Sequence, residues 1–136
     1  MSWETQLIRA AVGIIKIKDK ILLAERPVGK PYSGYWEFPG GKIEENESGS
    51  AALKRELHEE LGIEVIDAEF WFQHQYQYPD KTVHLEIFLV NKFSGEAKSK
   101  ENQQLCWVSV AEMSELPLLE GNWLIIEKIK HNNINP

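Results

Sequence analysis

Apolar and polar residues alternate, or apolar residues run together, in several short segments along the chain. This spacing is typical of β-strands, and it predicts strands over residues 7–17, 21–24, 35–38, 72–78, 83–89 and 105–110. Turns are expected at Asp19–Lys20 and Pro79–Asp80, and residues 26–35, with two Pro and two Gly, form a loop. The second turn joins two alternating segments, so we expect a hairpin there.

A different periodicity predicts helices. Leucines recur every four residues at 53, 57 and 61, which places them on one face of a helix over Ser48 to Leu61. Ser48 is a suitable N-cap, and Gly62 is a natural residue just past the C-terminus. Val110 to Ser114 fits one helical turn. Asn122 to His131 predicts a terminal helix whose inner face carries Leu124, Ile125 and Ile129.

Strands, a central helix, more strands and a last helix predict a mixed α/β layered domain. A length of 136 residues suits a single domain over 1–136. The apolar fraction of 43% is sufficient for a hydrophobic core, and the single cysteine, Cys106, excludes a disulfide framework. We expect Cys106 to be a core thiol.

The formal net charge is −6 and the pI is about 5.3. Such a surface repels long polyanions, so nucleic acid is not an expected partner, whereas a nucleotide that arrives with Mg²⁺ is compatible with it. The first ten residues lack a secretory signal pattern, and no apolar run has the length of a membrane span. We therefore expect a cytoplasmic protein, and a monomer because no long apolar surface stripe is evident.

The central helix carries a group of carboxylates. At about 100° per residue, Glu59, Glu56 and Glu60 lie at about −60°, 0° and +40°, on one arc beside the leucine face. A solvated acidic face is one interpretation. The other is a site for a hard divalent cation such as Mg²⁺. The cation would attract both Glu56 and Glu60 and so outweigh the repulsion between them.

Ahead of this helix lies the segment Phe38-Pro39-Gly40-Gly41. Paired glycines allow unusual backbone angles and the close approach of a ligand, and a backbone carbonyl there is a further candidate metal ligand. Taken alone, the same segment is also consistent with a simple turn.

Together these two features resemble the Nudix hydrolase family. The family's signature, G-x5-E-x7-R-E-U-x-E-E-x-G-U with U aliphatic, is matched at every specified position, by Gly41, Glu47, Arg55, Glu56, Leu57, Glu59, Glu60, Gly62 and Ile63. The resemblance extends over nearly the whole chain to the MutT group of this family, through residues 11–16, 36–44 and 78–80, Arg26, Lys100–Glu101, Trp107 and Asn122.

The resemblance implies an α/β/α sandwich and a Mg²⁺-dependent pyrophosphohydrolase, in which Mn²⁺ may replace Mg²⁺. The metal ligands it implies are Gly40 through its carbonyl, Glu56, Glu59, Glu60 and Glu101. Glu56 and Glu101 are both candidates for the general base. Arg55 is implied to hold Glu59 or Glu47 in place.

The resemblance also implies the substrate: 8-oxo-dGTP, hydrolysed to 8-oxo-dGMP and pyrophosphate, which removes an oxidised nucleotide before it causes mutation during DNA replication. The implied nucleotide-binding residues are Arg26, Glu37, Phe38, Pro39, Gly40, Lys42, Lys81 and Asn122. An Asn amide offers a donor to O6 and an acceptor to N7–H of 8-oxoguanine, whereas guanine N7 is itself an acceptor. A helix N-cap is the other interpretation of Asn122.

Some positions depart from the MutT pattern. The loop from Val28 to Tyr35 differs, with Pro31 in place of a substrate-contacting histidine, and Lys81 replaces an arginine. Residues 118–121 differ as well. These departures bear on the base preference and not on the hydrolase chemistry, so one alternative is a Nudix enzyme for another nucleotide such as CTP or 5-methyl-dCTP. A separate alternative is a non-catalytic nucleotide-binding Nudix domain, although such domains typically have a damaged signature.

Overall fold

The computed structural model of the protein describes residues 6–132. Both ends of the predicted 1–136 domain, and half of the N-terminal segment considered for a signal sequence, lie outside these residues. The strands are β1 (Gln6–Ile17), β2 (Lys20–Glu25), β3 (Trp36–Glu37), β4 (Gly40–Lys42), β5 (Glu64–Tyr78), β6 (Lys81–Ser94) and β7 (Leu105–Val108). The helices are α1 (Gly49–Leu61), α2 (Val110–Met113) and α3 (Trp123–Asn132), the last preceded by a 3-10 turn (Glu120–Asn122).

One mixed sheet organises these elements. The strand order is β3-β2-β1-β6-β5, with β4 pairing with β1 and β7 pairing with β2. Strands β1 and β6 run parallel, and the other pairs are antiparallel. The antiparallel pairing of β4 with β1 brings the glycine-rich segment against the centre of the sheet.

Side chains of β1 point alternately to two cores on opposite faces of the sheet. Val12 and Ile14 pack in a cluster with helix α3, whereas Ala11 and Ile15 pack in a cluster with helix α1. Successive residues of a strand face opposite sides, so one strand supplies both cores. This arrangement confirms the predicted α/β/α sandwich. Within residues 6–132, no helix is long and apolar enough to cross a membrane.

Helix α1 forms as its sequence predicts. The Ser48 hydroxyl accepts a hydrogen bond from the Ala51 amide at 3.1 Å, and Gly62 ends the helix in the left-handed conformation with φ of 74°. The three predicted leucines are fully buried. Each buried leucine stabilises the fold by about 1.5–3 kcal/mol, so this face fixes the rotation of the helix and the direction of its carboxylates.

Three local predictions were wrong or incomplete. The first turn lies at Lys18–Asp19, one residue early, with Lys18 at φ of 56°. Strand β5 begins at Glu64, well before the predicted start at residue 72. Register shifts between Val65 and Phe72 interrupt the alternation of side chains, so the sequence pattern did not reveal this part of the strand. Cys106 is only partly buried, although it packs against the core as expected.

The inner face of helix α3 also differs from the prediction. Ile125 and Ile129 are buried as expected, but Leu124 is 36% exposed and Ile126 is buried instead. At about 100° per residue, the three isoleucines share one arc, and Leu124 lies about 150° from its centre.

Candidate active site

A cavity of about 640 Å³ opens where the glycine-rich segment, helix α1 and the β5–β6 hairpin meet. Most of the predicted site residues line it, namely Arg26, Glu37, Phe38, Gly40, Lys42, Glu60, Lys81, Glu101 and Asn122. Its apolar floor comes from alternate residues of β1 and β6, Ile8, Ala10, Val12, Val83 and Leu85. Residues far apart in the sequence therefore form one concave surface with a carboxylate end and an aromatic end.

Arg55 organises the carboxylate end. Its guanidinium donates to both carboxylate oxygens of Glu47, at 2.8 and 2.9 Å, and to the Lys42 carbonyl at 3.0 Å. It also donates to Glu56 at 3.1 Å and lies 3.5 Å from Glu59. The sequence left Glu47 and Glu59 as alternative partners of Arg55. The bidentate bond makes Glu47 the principal one, and it lowers the pKa of Glu47 to about 2.

Glu56 lies against the backbone of the glycine-rich segment. A Cβ on Gly41 would overlap the Glu56 carboxylate and lie 2.6 Å from its Cγ. A Cβ on the preceding Gly40 would overlap the carbonyl oxygen of Ala11 on β1. The two glycines thus have different roles: Gly40 lets the segment pair with the sheet, and Gly41 leaves room for the Glu56 side chain.

Glu60 is the most buried carboxylate of the site. It is 7% exposed, and its side chain has neither a hydrogen bond nor an ion pair with the residues that the structure describes. Burial, followed by the negative charges of Glu56 and Glu101, raises the pKa of Glu60 to about 9. A buried carboxyl group with such a pKa is neutral near pH 7 unless a cation lies beside it, so Glu60 is suited to bind a cation in its charged form.

Glu101 reaches this end from the loop between β6 and β7. The loop is tied to the end of helix α1 by hydrogen bonds from Lys98 N–H to the Leu61 carbonyl, at 3.0 Å, and from Lys100 N–H to the Glu60 carbonyl, at 2.8 Å. The distant Glu101 is thereby placed at the cavity that Glu60 lines. Glu60 and Glu101 therefore line the same cavity, although they are far apart in the sequence.

The carboxylates do not form a closed site by themselves. Among residues 6–132, no three acidic, histidine or cysteine side chains converge closely enough to hold a metal ion. Glu56 is instead paired with Arg55, at 3.1 Å. The ligand set implied by the resemblance, which includes the Gly40 carbonyl, therefore stays a prediction.

Arg26 and Glu37 form an ion pair in the cavity wall. Arg26 Nη1 lies 3.4 Å from a Glu37 carboxylate oxygen, and Arg26 Nε donates to the Pro31 carbonyl at 3.1 Å. Burial raises the pKa of Glu37, and the charge of Arg26 opposes that rise. Arg26 thus connects the loop of residues 26–35 to strand β3.

Asn122 is buried at the aromatic end, with 6% exposure. Its Oδ1 accepts a hydrogen bond from the Phe38 amide at 3.2 Å, so it does not act as a side-chain N-cap of α3. Its Nδ2 group has no hydrogen-bond partner among the described residues. The N-cap interpretation is wrong, and the amide orientation is set by the glycine-rich segment.

Sequence reasoning missed the aromatic residues here. Tyr32, Tyr76 and Tyr78 all line the cavity. Lys81 Nζ lies 5.9 Å from the ring centre of Tyr32 and 5.8 Å from that of Tyr78, within cation–π range. The alternation of β5 places Tyr76 and Tyr78 on one face of the strand. This alternation could have identified both residues as candidates for the site. Tyr32 lies in the loop without such periodicity.

Four predicted residues do not line the cavity, namely Pro39, Arg55, Glu56 and Glu59. Arg55 and Glu56 lie behind its wall, in the contacts given above. The Pro39 carbonyl accepts a hydrogen bond from Gly13 N–H at 2.9 Å and so holds the segment to β1. The Glu59 side chain is 51% exposed and reaches toward Arg55. The role predicted for Pro39 therefore becomes structural, and Glu59 lies on the outer edge of the carboxylate group.

Comparison with known proteins agrees with this geometry. The sequence profile of the NUDIX domain matches residues 7–129. The chain is 39% identical over 122 residues to the CTP pyrophosphohydrolase of Escherichia coli (strain K12), covering 90% of each protein. It is also 39% identical over 133 residues to the 8-oxo-dGTP diphosphatase of Haemophilus influenzae, covering 97% of this chain and 98% of that protein.

A solved structure shows the same fold. In a study of MutT from Aliivibrio salmonicida and Vibrio cholerae, the matching structure has a TM-score of 0.80 and 31% sequence identity. The match covers 93% of this chain and 99% of that one. The sequence, the sheet topology and the carboxylate-bearing helix thus all agree with the resemblance derived from the residues.

Proposed function

This chain belongs to the Nudix hydrolase family, and from this premise we propose that it hydrolyses 8-oxo-dGTP to 8-oxo-dGMP and pyrophosphate with Mg²⁺. Water adds to a phosphorus of the triphosphate chain, the P–O bond of the phosphoanhydride breaks, and a proton leaves the attacking water. The observation that carries the proposal is that Glu60, Glu101 and the buried Asn122 line the same cavity.

The carboxylate end has the chemistry of a Mg²⁺ site. Glu60 is buried without a cationic partner, and oxygen ligands are those that Mg²⁺ prefers. Glu56, Glu60, Glu101 and the Gly40 carbonyl would hold the metal, with Glu59 at the outer edge. A bound Mg²⁺, or Mn²⁺ in its place, neutralises phosphate charge and acidifies water.

The protein's own residues position the nucleotide. Arg55 donates a hydrogen bond to Glu56 and so holds its carboxylate in place, and Lys42 supplies positive charge for the phosphates. Lys81, beside the rings of Tyr32 and Tyr78, lies at the end of the cavity where the base would bind. Glu56 and Glu101 remain the two candidates for the base that takes the proton from water. Arg26 orders the loop beside the nucleotide, and the Phe38 backbone lines the base pocket.

Asn122 accounts for the proposed choice of base. Its Nδ2 group donates to O6 of 8-oxoguanine, and Oδ1, which has a second lone pair beside the Phe38 bond, accepts from N7–H. Unmodified guanine presents a lone pair at N7 and faces the same oxygen with an unfavourable contact. Mismatched buried polar groups produce discrimination of about 10⁴-fold.

The test compares kcat/KM for 8-oxo-dGTP and dGTP with Mg²⁺, in the wild type and in Asn122→Ala. We expect a large preference in the wild type that is lost in the variant, while pyrophosphate is still released from dGTP. Equal kcat/KM for the two nucleotides in the wild type would refute the proposed substrate. No pyrophosphate from any triphosphate would refute the catalytic role and leave a nucleotide-binding domain.

A second candidate substrate is CTP or 5-methyl-dCTP. It is favoured by the similarity to the E. coli CTP pyrophosphohydrolase, which equals in identity that to the H. influenzae enzyme. The buried asparagine favours the purine, whereas the departures from the MutT pattern in residues 28–35 and 118–121 leave the base preference open. The same assay with these two nucleotides separates the candidates.

The proposed substrate also suggests where in the cell the enzyme acts and what its role is. Deoxynucleoside triphosphates are the precursors for DNA replication. We propose that the enzyme acts on free nucleotides in the cytoplasm and that its role is to prevent oxidative mutation. The one cavity combines both ends of the site in a single chain, which is consistent with a monomer. Size-exclusion chromatography with light scattering tests the oligomeric state.

A further inference from the structure

The segment that carries Asn122 is first held by the backbone of strand β3. Trp36 N–H donates to the Pro117 carbonyl at 2.8 Å, and Leu119 N–H donates to the Trp36 carbonyl at 3.1 Å. These bonds fix the chain up to Leu119. The 3-10 turn follows, and Asn122 N–H donates to the Leu119 carbonyl at 2.9 Å, whereas Gly121 N–H takes its acceptor from outside the segment.

Tyr78, at the end of strand β5, holds the turn next to Asn122. Its hydroxyl oxygen accepts a buried hydrogen bond from Gly121 N–H at 3.0 Å. A Cβ on Gly121 would lie 2.8 Å from this oxygen, which is closer than such atoms approach, so glycine makes the contact possible. The bond acts on the peptide group immediately before Asn122.

Tyr76 provides a second contact to the same turn. Its hydroxyl donates to the carboxylate of Glu120, and its ring lies 4.7 Å from that of Tyr78 between ring centres. The hydrogen bond to Glu120 raises the pKa of the Tyr76 hydroxyl to about 12. Neighbouring tyrosines of one strand face therefore hold the two residues that precede Asn122.

The Asn122 amide is thus constrained from two sides. Phe38 N–H fixes the rotation of the side chain, and the tyrosines fix the backbone from which it extends. We propose that Tyr78, supported by Tyr76 through Glu120, is a positioning residue that holds Asn122 in the orientation required for base discrimination. This inference rests on the proposed function of Asn122.

Tyr78→Phe isolates the hydroxyl, because the ring and its packing remain. The change leaves a buried Gly121 N–H without its acceptor, which weakens the hold on the turn. We expect the ratio of kcat/KM for 8-oxo-dGTP over dGTP to fall about three- to tenfold, through a higher KM for 8-oxo-dGTP at nearly constant kcat. Tyr35→Phe is the control, since the Tyr35 hydroxyl has no hydrogen bond among the described residues.

A double-mutant cycle separates positioning from direct contact with the base. Tyr78→Phe is measured in the wild type and in the Asn122→Ala background. If Tyr78 acts through Asn122, the substitution lowers the ratio only when Asn122 is present. An unchanged ratio in the wild-type background, or an equal fall in both, would overturn the inference.

The cycle also distinguishes failure of this inference from failure of the proposed function. A wild-type ratio near one would reject 8-oxo-dGTP as the preferred substrate. The cycle is then run on KM for the nucleotide that the wild type hydrolyses best, with the same criteria. Amide hydrogen exchange of Gly121 gives a readout without substrate: faster exchange in Tyr78→Phe supports the bond, and equal exchange contradicts it.

Discussion

Gly41 lies directly beneath the carboxylate of Glu56. Any side chain at position 41 would overlap Glu56 Oε2, and its Cβ would lie 2.6 Å from Glu56 Cγ. Strand β4 is held on β1 by backbone pairing, with Gly41 opposite Ala11. If position 41 gains a side chain, the Glu56 side chain must therefore move, because the backbone of Gly41 is held by the sheet.

Gly41→Ala is predicted to displace the Glu56 carboxylate from its site. Because the change acts on the position of a proposed ligand, kcat should fall about 10- to 100-fold. The fold should persist, which circular dichroism and thermal unfolding check. The control is the double variant with Glu56→Gln, in which Gly41→Ala should cause little further loss. Full additivity of the two effects would contradict this explanation.

Arg55→Lys is predicted to impair activity more than stability. Lysine cannot reproduce the bidentate bond to Glu47 together with the bond to Glu56. We expect kcat to fall about 10- to 100-fold, while partly exposed ion pairs contribute only about 0–1 kcal/mol to the free energy of unfolding. Steady-state kinetics and urea unfolding give the two values.

Arg9→Lys is the matched control for Arg55. Arg9 pairs with Glu86 at 3.2 Å on a strand that contributes to the cavity, but its own side chain does not line it. This variant should retain wild-type kcat. Equal losses for Arg9→Lys and Arg55→Lys would show that any change of arginine in this domain reduces activity, and the specific role of Arg55 would be lost.

Acid stability is predicted to depend on Glu112. The capping box with Ser109 and the bond from Lys20 lower the pKa of this carboxyl from 4.5 to about 2. Since the folded-state pKa is depressed, the stabilisation is complete above pH 4.5 and is lost as the pH falls through about 2. Glu112→Gln should therefore be less stable than the wild type near neutral pH, with the difference vanishing below the folded-state pKa.

Urea unfolding across this pH range measures the effect. Glu115→Gln serves as the control, because the Glu115 side chain has no hydrogen bond or ion pair with the described part of the chain. It should follow the wild-type profile. The difference in unfolding free energy between wild type and Glu112→Gln could instead stay constant down to the lowest pH. The charge of the Glu112 carboxylate would then not be the cause of that difference.

Substitutions in helix α3 test which face is buried. Ile126→Ala should lower the free energy of unfolding by about 2–5 kcal/mol, because Ile126 is 6% exposed within the core. Leu124→Ala should lower it by only about 0.5 kcal/mol, since Leu124 is 36% exposed. Chemical denaturation of both variants gives the comparison. A larger loss of unfolding free energy in Leu124→Ala than in Ile126→Ala would instead support the inner face predicted from the sequence, which includes Leu124.

Helix α1 illustrates what could be predicted from the sequence. Its limits, caps and buried face depend on residues within one segment, so Ser48, Gly62 and the leucine spacing were sufficient. Strand β4 has only glycines and a lysine, and its existence depends on pairing with β1, which no local pattern reveals. Bulges in β5 had a similar effect, since they break the alternation that identifies a strand.

In the site, too, features within one segment could be predicted from the sequence, whereas features that depend on tertiary contacts could not. The carboxylates were recognised because they lie on one helix beside a matching signature, and Glu101 and Asn122 were found by resemblance. The bond of Asn122 to Phe38 and the contacts of Tyr76 and Tyr78 with the 3-10 turn connect residues about 40 to 80 positions apart. Such contacts arise from the tertiary fold and were not accessible to periodicity.

An internal competition assay tests the central claim most directly. The wild-type enzyme and Mg²⁺ are mixed with equal concentrations of 8-oxo-dGTP and CTP, and the initial ratio of the two monophosphate products gives the ratio of kcat/KM. We predict that 8-oxo-dGMP is formed in large excess over CMP. An excess of CMP would contradict the account of Asn122 and assign this Nudix hydrolase to the pyrimidine nucleotide.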